Sequence, residues 1–260
     1  MLQHYHSIQA YIKFLIQSVN QHGVHSPFVY NLVTQCFYNK KKYDGYQQIK
    51  NYKKELLQNK QLITVTDYGA GSKVFTDAKR AINKIAANAG ISLKRAFLLH
   101  RLTHDLQCTT GLELGTSLGI SSLAMASAAT INRLTTIEGC PETAKFAETQ
   151  LKKYQLTNVN VQNATFEKAL NKIENKPFDL IYLDGHHSLE PTLTYFNKLL
   201  SNVHNNSVMI LDDIHWSAQM EKAWNQIKAH PKVTVSIDTY KWGLLFFRKE
   251  QAKQHFIIRS

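Results

Sequence analysis

The sequence predicts an α/β fold, a mainly parallel sheet flanked by helices, with a helical extension ahead of it. Three observations predict it. From Gly111 onward, short apolar runs alternate with segments of helical period. The first run, Gly111–Leu114, passes through Gly115-Thr116-Ser117-Leu118-Gly119 into a helix of small residues, the strand–turn–helix order of a nucleotide-sized corner. Residues 1–105, by contrast, read as helices and are basic. They carry 15 Lys/Arg against 5 Asp/Glu, while the remainder carries 16 against 14. The expected division is a basic, mainly helical extension over 1–105, with a role in substrate contact, lid or oligomer, and a ligand-binding domain over 106–260.

Composition bounds the rest. At 260 residues and 43% hydrophobic content, the chain can build one large core. No run approaches the roughly 20 apolar residues of a membrane span. The first residues, MLQHYHSIQAYIKFLIQ, lack the charged n-region and cleavage site of a signal peptide. Cys36, Cys108 and Cys140 are scattered, with no metal spacing and no disulfide framework, which points to a cytoplasmic address and no membrane partner. The net charge of +12 lies mostly in the extension. It suits an anionic partner such as RNA, or else a lysine-rich solvated surface.

In the extension, Ile8, Ile12, Leu15, Ile16 and Val19 fall at helical spacing. Ser26 is placed to cap a helix that begins at Pro27, with Phe28, Leu32, Val33 and Phe37 on its apolar face. His22 and His25 precede it; with no third partner nearby, they read as loop residues rather than ligands. Asn39 and Lys40–Lys42 end the segment, and a helix is expected over Tyr46–Gln58. Leu62–Ser72 then reads as a strand followed by Asp67-x-Gly69-x-Gly71. That glycine pattern imitates a cofactor corner, but Thr76–Asn88 and Ser92–Leu106 are helical and basic, and no strand ending in an acid follows. The segment is therefore assigned as a glycine loop, a lid or a turn.

From Gly111 the expected strands are Gly111–Leu114, Leu134–Ile137, Val159–Gln162, Phe178–Asp184 and Val208–Asp212. Helices are expected over Ile120–Ala129, Pro141–Tyr154, Phe166–Lys172, Leu189–Val203 and Ser217–Ala229. Val233–Thr239 and Leu244–Arg248, joined by Tyr240–Gly243, are too close for anything but an antiparallel hairpin. The apolar tail near His255–Ile258 is expected to dock on the core or on a second copy of the chain, which leaves a homodimer open. In parallel sheets, ligands gather at the carboxyl ends of strands. There lie Glu113 and Gly115, then Glu138 and Gly139, then Asn163 and Ala164, then Asp184-Gly185-His186-His187, then Asp212-Asp213.

The pattern Glu113-x-Gly115-x-x-x-Gly119 resembles motif I of class I S-adenosylmethionine-dependent methyltransferases, and the strand order resembles their Rossmann-like seven-stranded sheet. The resemblance covers about Leu106–Lys249. It implies that Glu113, Gly115, Thr116, Ser117 and Gly119 hold the methionine end of S-adenosylmethionine. It implies that Glu138, 25 residues after Glu113, takes both ribose hydroxyls, with Gly139, Asn163, Ala164 and Asp184 completing the cofactor site. A carboxylate has two oxygens and accepts both hydroxyl protons.

Asp-Gly-x-His after the fourth strand and paired acids after the fifth resemble metal-dependent O-methyltransferases. By that resemblance Asp184, Asp212 and Asp213 would ligate Mg²⁺, a hard cation suited to oxygen ligands, and His187 would be the general base beside Asp184. His186 is left without a task. His215, Trp216 and Trp242 line an acceptor pocket or simply pack. The expected activity is methylation of a small-molecule hydroxyl. The basic extension raises RNA methylation as the alternative. A non-catalytic NAD module ranks last, since Gly115 opens no Gly-x-Gly-x-x-Gly.

Overall fold

The computed structural model describes residues 2–66, 68 and 78–259, the first four by backbone alone. The chain forms two compact units, Met1–Asn39 with Glu174–Ser260, and Lys40–Ile173. The boundary expected between residues 105 and 106 falls inside the second unit.

Helix α1 spans Leu2–Gln17. The helix is apolar on more than one stripe, and the stripe it buries is not the expected one. Ala10 and Phe14 are buried, whereas Ile8, Ile12 and Ile16 are 59%, 52% and 79% exposed. Aromatic packing decides the orientation: the Tyr11 and Phe14 rings lie 4.9 and 5.6 Å from that of Tyr240. Helix α2, Pro27–Asn31, starts as its sequence dictates, with Ser26 Oγ accepting the Val29 N–H. It continues as a π-helical turn over Leu32–Phe37 that buries Leu32, Val33, Cys36 and Phe37.

The unit 40–173 begins with α3, Gly45–Gln58, which buries Ile49, Tyr52 and Leu56 on one face. The Tyr52 hydroxyl donates to the Leu118 carbonyl. Strands β1, Leu62–Thr64, and β2, Lys79–Ala81, pair antiparallel. Strand β2 stands at the head of a segment expected to be helical throughout. The Asp67–Ser72 glycine loop lies outside the described residues, apart from Tyr68. Helices α4, Ile82–Asn88, and α5, Leu93–Asp105, follow, the latter capped by Ser92. Then come β3, Thr110–Leu114, α6, Ile120–Ala126, β4, Arg133–Glu138, α7, Pro141–Lys153, β5, Val159–Asn163, and α8, Phe166–Lys172. Strands β3, β4 and β5 are parallel neighbours, with Glu113 opposite Thr136 and Glu138 opposite Asn163. Leu112, Leu123, Leu134, Ile137 and Leu151 are nearly solvent-free in this core. Each such side chain contributes about 1.5–3 kcal/mol by leaving water.

Residues 174–260 supply β6, Leu180–Leu183, α9, Leu189–Leu199, β7, Val208–Asp212, α10, Ala218–Ala229, β8, Val235–Asp238, β9, Trp242–Phe246, and β10, Gln254–Ile257. Within this unit β6 runs parallel to β7. Strand β9 runs antiparallel to both β7 and β8, and β10 lies parallel along β8. The mostly parallel sheet counts eight strands, not seven. The extra one is the apolar tail, whose docking takes the form of β-pairing. Among the described residues no helix is long and apolar enough to cross a membrane.

Candidate active site

The corner after β3 is built by three residues with positive φ. Gly115 (103°), Ser117 (48°) and Gly119 (78°) turn the chain sharply, so that α6 starts from a left-handed cap. The Gly115 N–H donates to the Ile137 carbonyl at 2.9 Å, seaming the turn to β4. Beneath it Glu113 is fully buried. Its Oε2 accepts from Ser122 Oγ and, at 2.6 Å, from Thr136 Oγ1, while Thr136 and Thr116 hydroxyls lie 2.5 Å apart. One carboxylate thus ties β3, β4 and α6 together.

Glu138 behaves differently. It is partly exposed at the end of β4. Its Oε2 accepts from the Ser117 N–H and its Oε1 from the Cys140 N–H, both at 2.9 Å. Two backbone donors fix the carboxylate, and each oxygen retains a second lone pair. Asn163 Nδ2 donates to the carbonyls of Glu138 and Gly139 at 2.9 and 3.0 Å, and the Ala164 N–H adds a 3.1 Å bond to the Glu138 carbonyl. A cavity of about 430 Å³ adjoins, lined by Tyr68, Gly139, Asn163, Ala164, Thr165 and Lys168. The predicted residues of this unit, Gly115, Thr116, Ser117, Gly119, Glu138, Gly139, Asn163 and Ala164, are thus brought together. Their fixed donors, positive-φ turn and carboxylate suit a nucleoside ligand.

In the other unit, the turn after β6 carries Asp184 and His187, with His187 Nε2 3.5 Å from Asp184 Oδ1. His186 and His187 both have positive φ, 64° and 26°. Side-chain-bearing residues hold such conformations only under constraint, and they cluster at functional sites. Burial opposes a charged His187. The hydrogen bond that His187 donates to Asp184 and the charges of Asp184, Asp213 and Asp212 outweigh it, pushing the imidazole up to about 9. The Tyr182 hydroxyl donates to Asp212 Oδ2 at 3.2 Å and approaches Asp184 Oδ2 at 3.4 Å, placing both acids around one group. Asp212 Oδ1 accepts the Asp213 N–H, and Asp213 Oδ1 pairs with Lys241 Nζ at 3.0 Å.

These acids are therefore compensated by His187 and Lys241. Among the described residues no group of three or more His, Cys, Asp or Glu side chains could hold a metal ion. The arrangement of Asp184, Asp212 and Asp213 does not fit the Mg²⁺ set that their pattern suggested. His186 packs edge-on against Tyr195, and Trp242 is buried against Tyr182. His215 stacks on Tyr240 and donates from Nε2 to Asp238 at 2.8 Å. The Trp216 ring lies 6.4 Å from that of His187.

Residues 112–214 match a family model described as a methyltransferase domain. The chain shares its fold with the methyltransferase PaMTH1 of Podospora anserina, solved with S-adenosylhomocysteine bound. The TM-score is 0.60 at 15% identity, covering 87% of this chain and 97% of that one. TomG of Streptomyces achromogenes, an O-methyltransferase involved in tomaymycin synthesis, gives 0.56 at 17% identity, covering 80% and 91%. An O-methyltransferase of Bacillus cereus gives 0.53 at 17%, covering 81% and 93%. The chain thus has the α/β fold of these solved methyltransferases. No curated protein sequence matches the chain.

Sequence reasoning missed Tyr182, Lys241, Ser122, Thr136 and Tyr68. Tyr182 was within reach of it, since residues two apart on a strand share a face and Asp184 follows by two. Thr136 required the β3–β4 register, and Lys241 required the hairpin fold.

Proposed function

We propose that the chain is an S-adenosylmethionine-dependent O-methyltransferase acting on the hydroxyl of a small molecule. The observation that carries the reading is the Asp184–His187 pair, a carboxylate 3.5 Å from an imidazole nitrogen on a strained turn. When bound, S-adenosylmethionine supplies a methyl group already activated by a sulfonium. The Glu138 carboxylate accepts the two ribose hydroxyl protons, already oriented by the Ser117 and Cys140 N–H groups. The Gly115–Gly119 turn gives close backbone approach to the amino-acid end. Glu113 acts through the turn, holding β3 and α6 in place. Fixing a ligand in this way reduces the orientational cost of a displacement, a term worth roughly 7–11 kcal/mol.

A hydroxyl acceptor needs to lose its proton. In its neutral form His187 donates Nε2–H to Asp184, which fixes that tautomer and leaves Nδ1 to take the acceptor's proton. No step is assigned to Mg²⁺, because Asp213 already pairs with Lys241 and Asp184 already lies against His187. The three cysteines are buried thiols, consistent with a cytoplasmic address. The test is methyl transfer from labelled S-adenosylmethionine to a panel of phenolic, sugar and aliphatic hydroxyls. Transfer to one class, abolished in His187→Ala with cofactor affinity intact, is the expected result. Labelling of bulk tRNA instead, with binding that falls steeply with salt, would move the acceptor to nucleic acid.

A further inference from the structure

The loop Glu138–Cys140 is overlain by a segment that the strand–turn–helix corner does not itself supply. The Thr64 N–H donates to Glu142 Oε2 at 2.5 Å, the Thr66 N–H to Cys140 Sγ at 3.4 Å, and the Cys140 thiol to the Thr64 carbonyl at 3.4 Å. Those bonds lay residues 64–66 along the loop. Two residues further on, the ring of Tyr68 rests on Gly139. A Cβ at position 139 would sit 2.7 Å from ring carbon Cδ2 and 3.3 Å from Cε2, closer than real side chains pack. The tyrosine therefore fills the space that a side chain following Glu138 would otherwise take.

Its exposure distinguishes it from a packing residue. Tyr52, in the same unit, is wholly buried, whereas Tyr68 is 49% exposed. The uncovered part of the ring lines the cavity of about 430 Å³ together with Ala164, Asn163 and Thr165. A flat aromatic surface, a methyl group and side-chain hydrogen-bonding groups make up a wall suited to a planar heterocycle. A base whose ribose is held at Glu138 has this cavity beside it.

We propose that Tyr68 is a binding residue for the base of the cofactor, an aromatic plate brought by the β1 segment to a loop whose own residue, Gly139, has no side chain. The proposal rests on the reading that Glu138 holds the ribose. It assigns to Tyr68 a part in ligand recognition that the sequence did not reveal. It also explains Gly139: any larger residue there would displace the ring.

Calorimetry on the full chain tests it, with S-adenosylhomocysteine and, by competition, S-ribosylhomocysteine, the same ligand without its base. Tyr68→Ala is expected to weaken S-adenosylhomocysteine by about 5- to 100-fold, the range for loss of one base–aromatic stack. It should leave S-ribosylhomocysteine unchanged, and Tyr68→Phe should retain both affinities. Equal losses for the two ligands would reduce Tyr68 to a support for the loop and overturn the proposal. Full affinity in Tyr68→Ala beside a loss in Glu138→Ala overturns this proposal alone. Full affinity in Glu138→Ala overturns the ribose reading and the proposal with it.

Discussion

The Ser117 N–H donates to Glu138 Oε2 across 2.9 Å, joining the turn after β3 to the end of β4. The carboxylate is thereby set before any ligand arrives. Hydrogen bonds to charged groups are worth about 1.5–3 kcal/mol. Glu138→Ala should raise the Kd for S-adenosylhomocysteine about 10- to 100-fold by calorimetry. It should also lower Tm, since the Ser117 and Cys140 N–H groups lose their acceptor. A variant that binds normally would remove the sugar from this position.

His187 predicts a pH profile. Burial alone would lower its pKa; the Asp184 hydrogen bond and the neighbouring acids raise it to about 9. A base must be neutral to accept a proton, so turnover should climb with pH and level off above about 9. His187→Ala should cost about 10²–10⁴-fold in kcat. A rate that falls as pH passes 9 would make the imidazolium, not the imidazole, the working form. The stability linkage has the opposite sense. A value raised above the unfolded one stabilises the fold fully below about pH 6.5, and that contribution is lost as pH rises through 9.

Asp213 pairs with Lys241 and Asp184 with His187, so turnover should survive a chelator with kcat unchanged. Activity that disappears with EDTA and returns with Mg²⁺ would give the acids a divalent cation instead.

His100 sets a limit at low pH. It is 2% exposed, with Nδ1 near the Ala124 carbonyl and Ser127 Oγ. Burial, with help from the His104 and Arg101 charges, lowers its pKa to about 4. Below pH 6.5 the unfolded chain takes up the proton and the folded one does not. Stability should therefore fall by up to about 1.4 kcal/mol per pH unit from this residue, down to about pH 4. His100→Gln should show a shallower loss in acid denaturation followed by circular dichroism; an unchanged slope would place the acid sensitivity elsewhere.

Much of this was legible from residues in order. The βα alternation, the Ser26–Pro27 cap and the antiparallel β8–β9 hairpin follow from local chemistry, and so does the place of Glu138 at the end of β4. What was hidden depended on distant partners. Strand β10 has a weak pattern of its own and forms because β8 offers it an edge. Helix α1 has competing apolar stripes, and the one it buries faces Tyr240, more than 200 residues away. Asp184, Asp212 and Asp213 read as a metal set because sequence shows charge without showing Lys241 beside it.

The first 39 residues belong to the same unit as residues 174–260, while residues 40–173 are continuous. On a ribosome adding about 5–20 residues per second, the opening segment waits roughly 7–30 seconds for its partners to emerge. During that interval Phe14, Val29, Leu32 and Val33, buried in the finished fold, lack residues 174–260 of their unit. The continuous unit can close meanwhile. Birth order, then, leaves the amino-terminal helices of this chain waiting longest for their partners, and slowing synthesis should lower its yield.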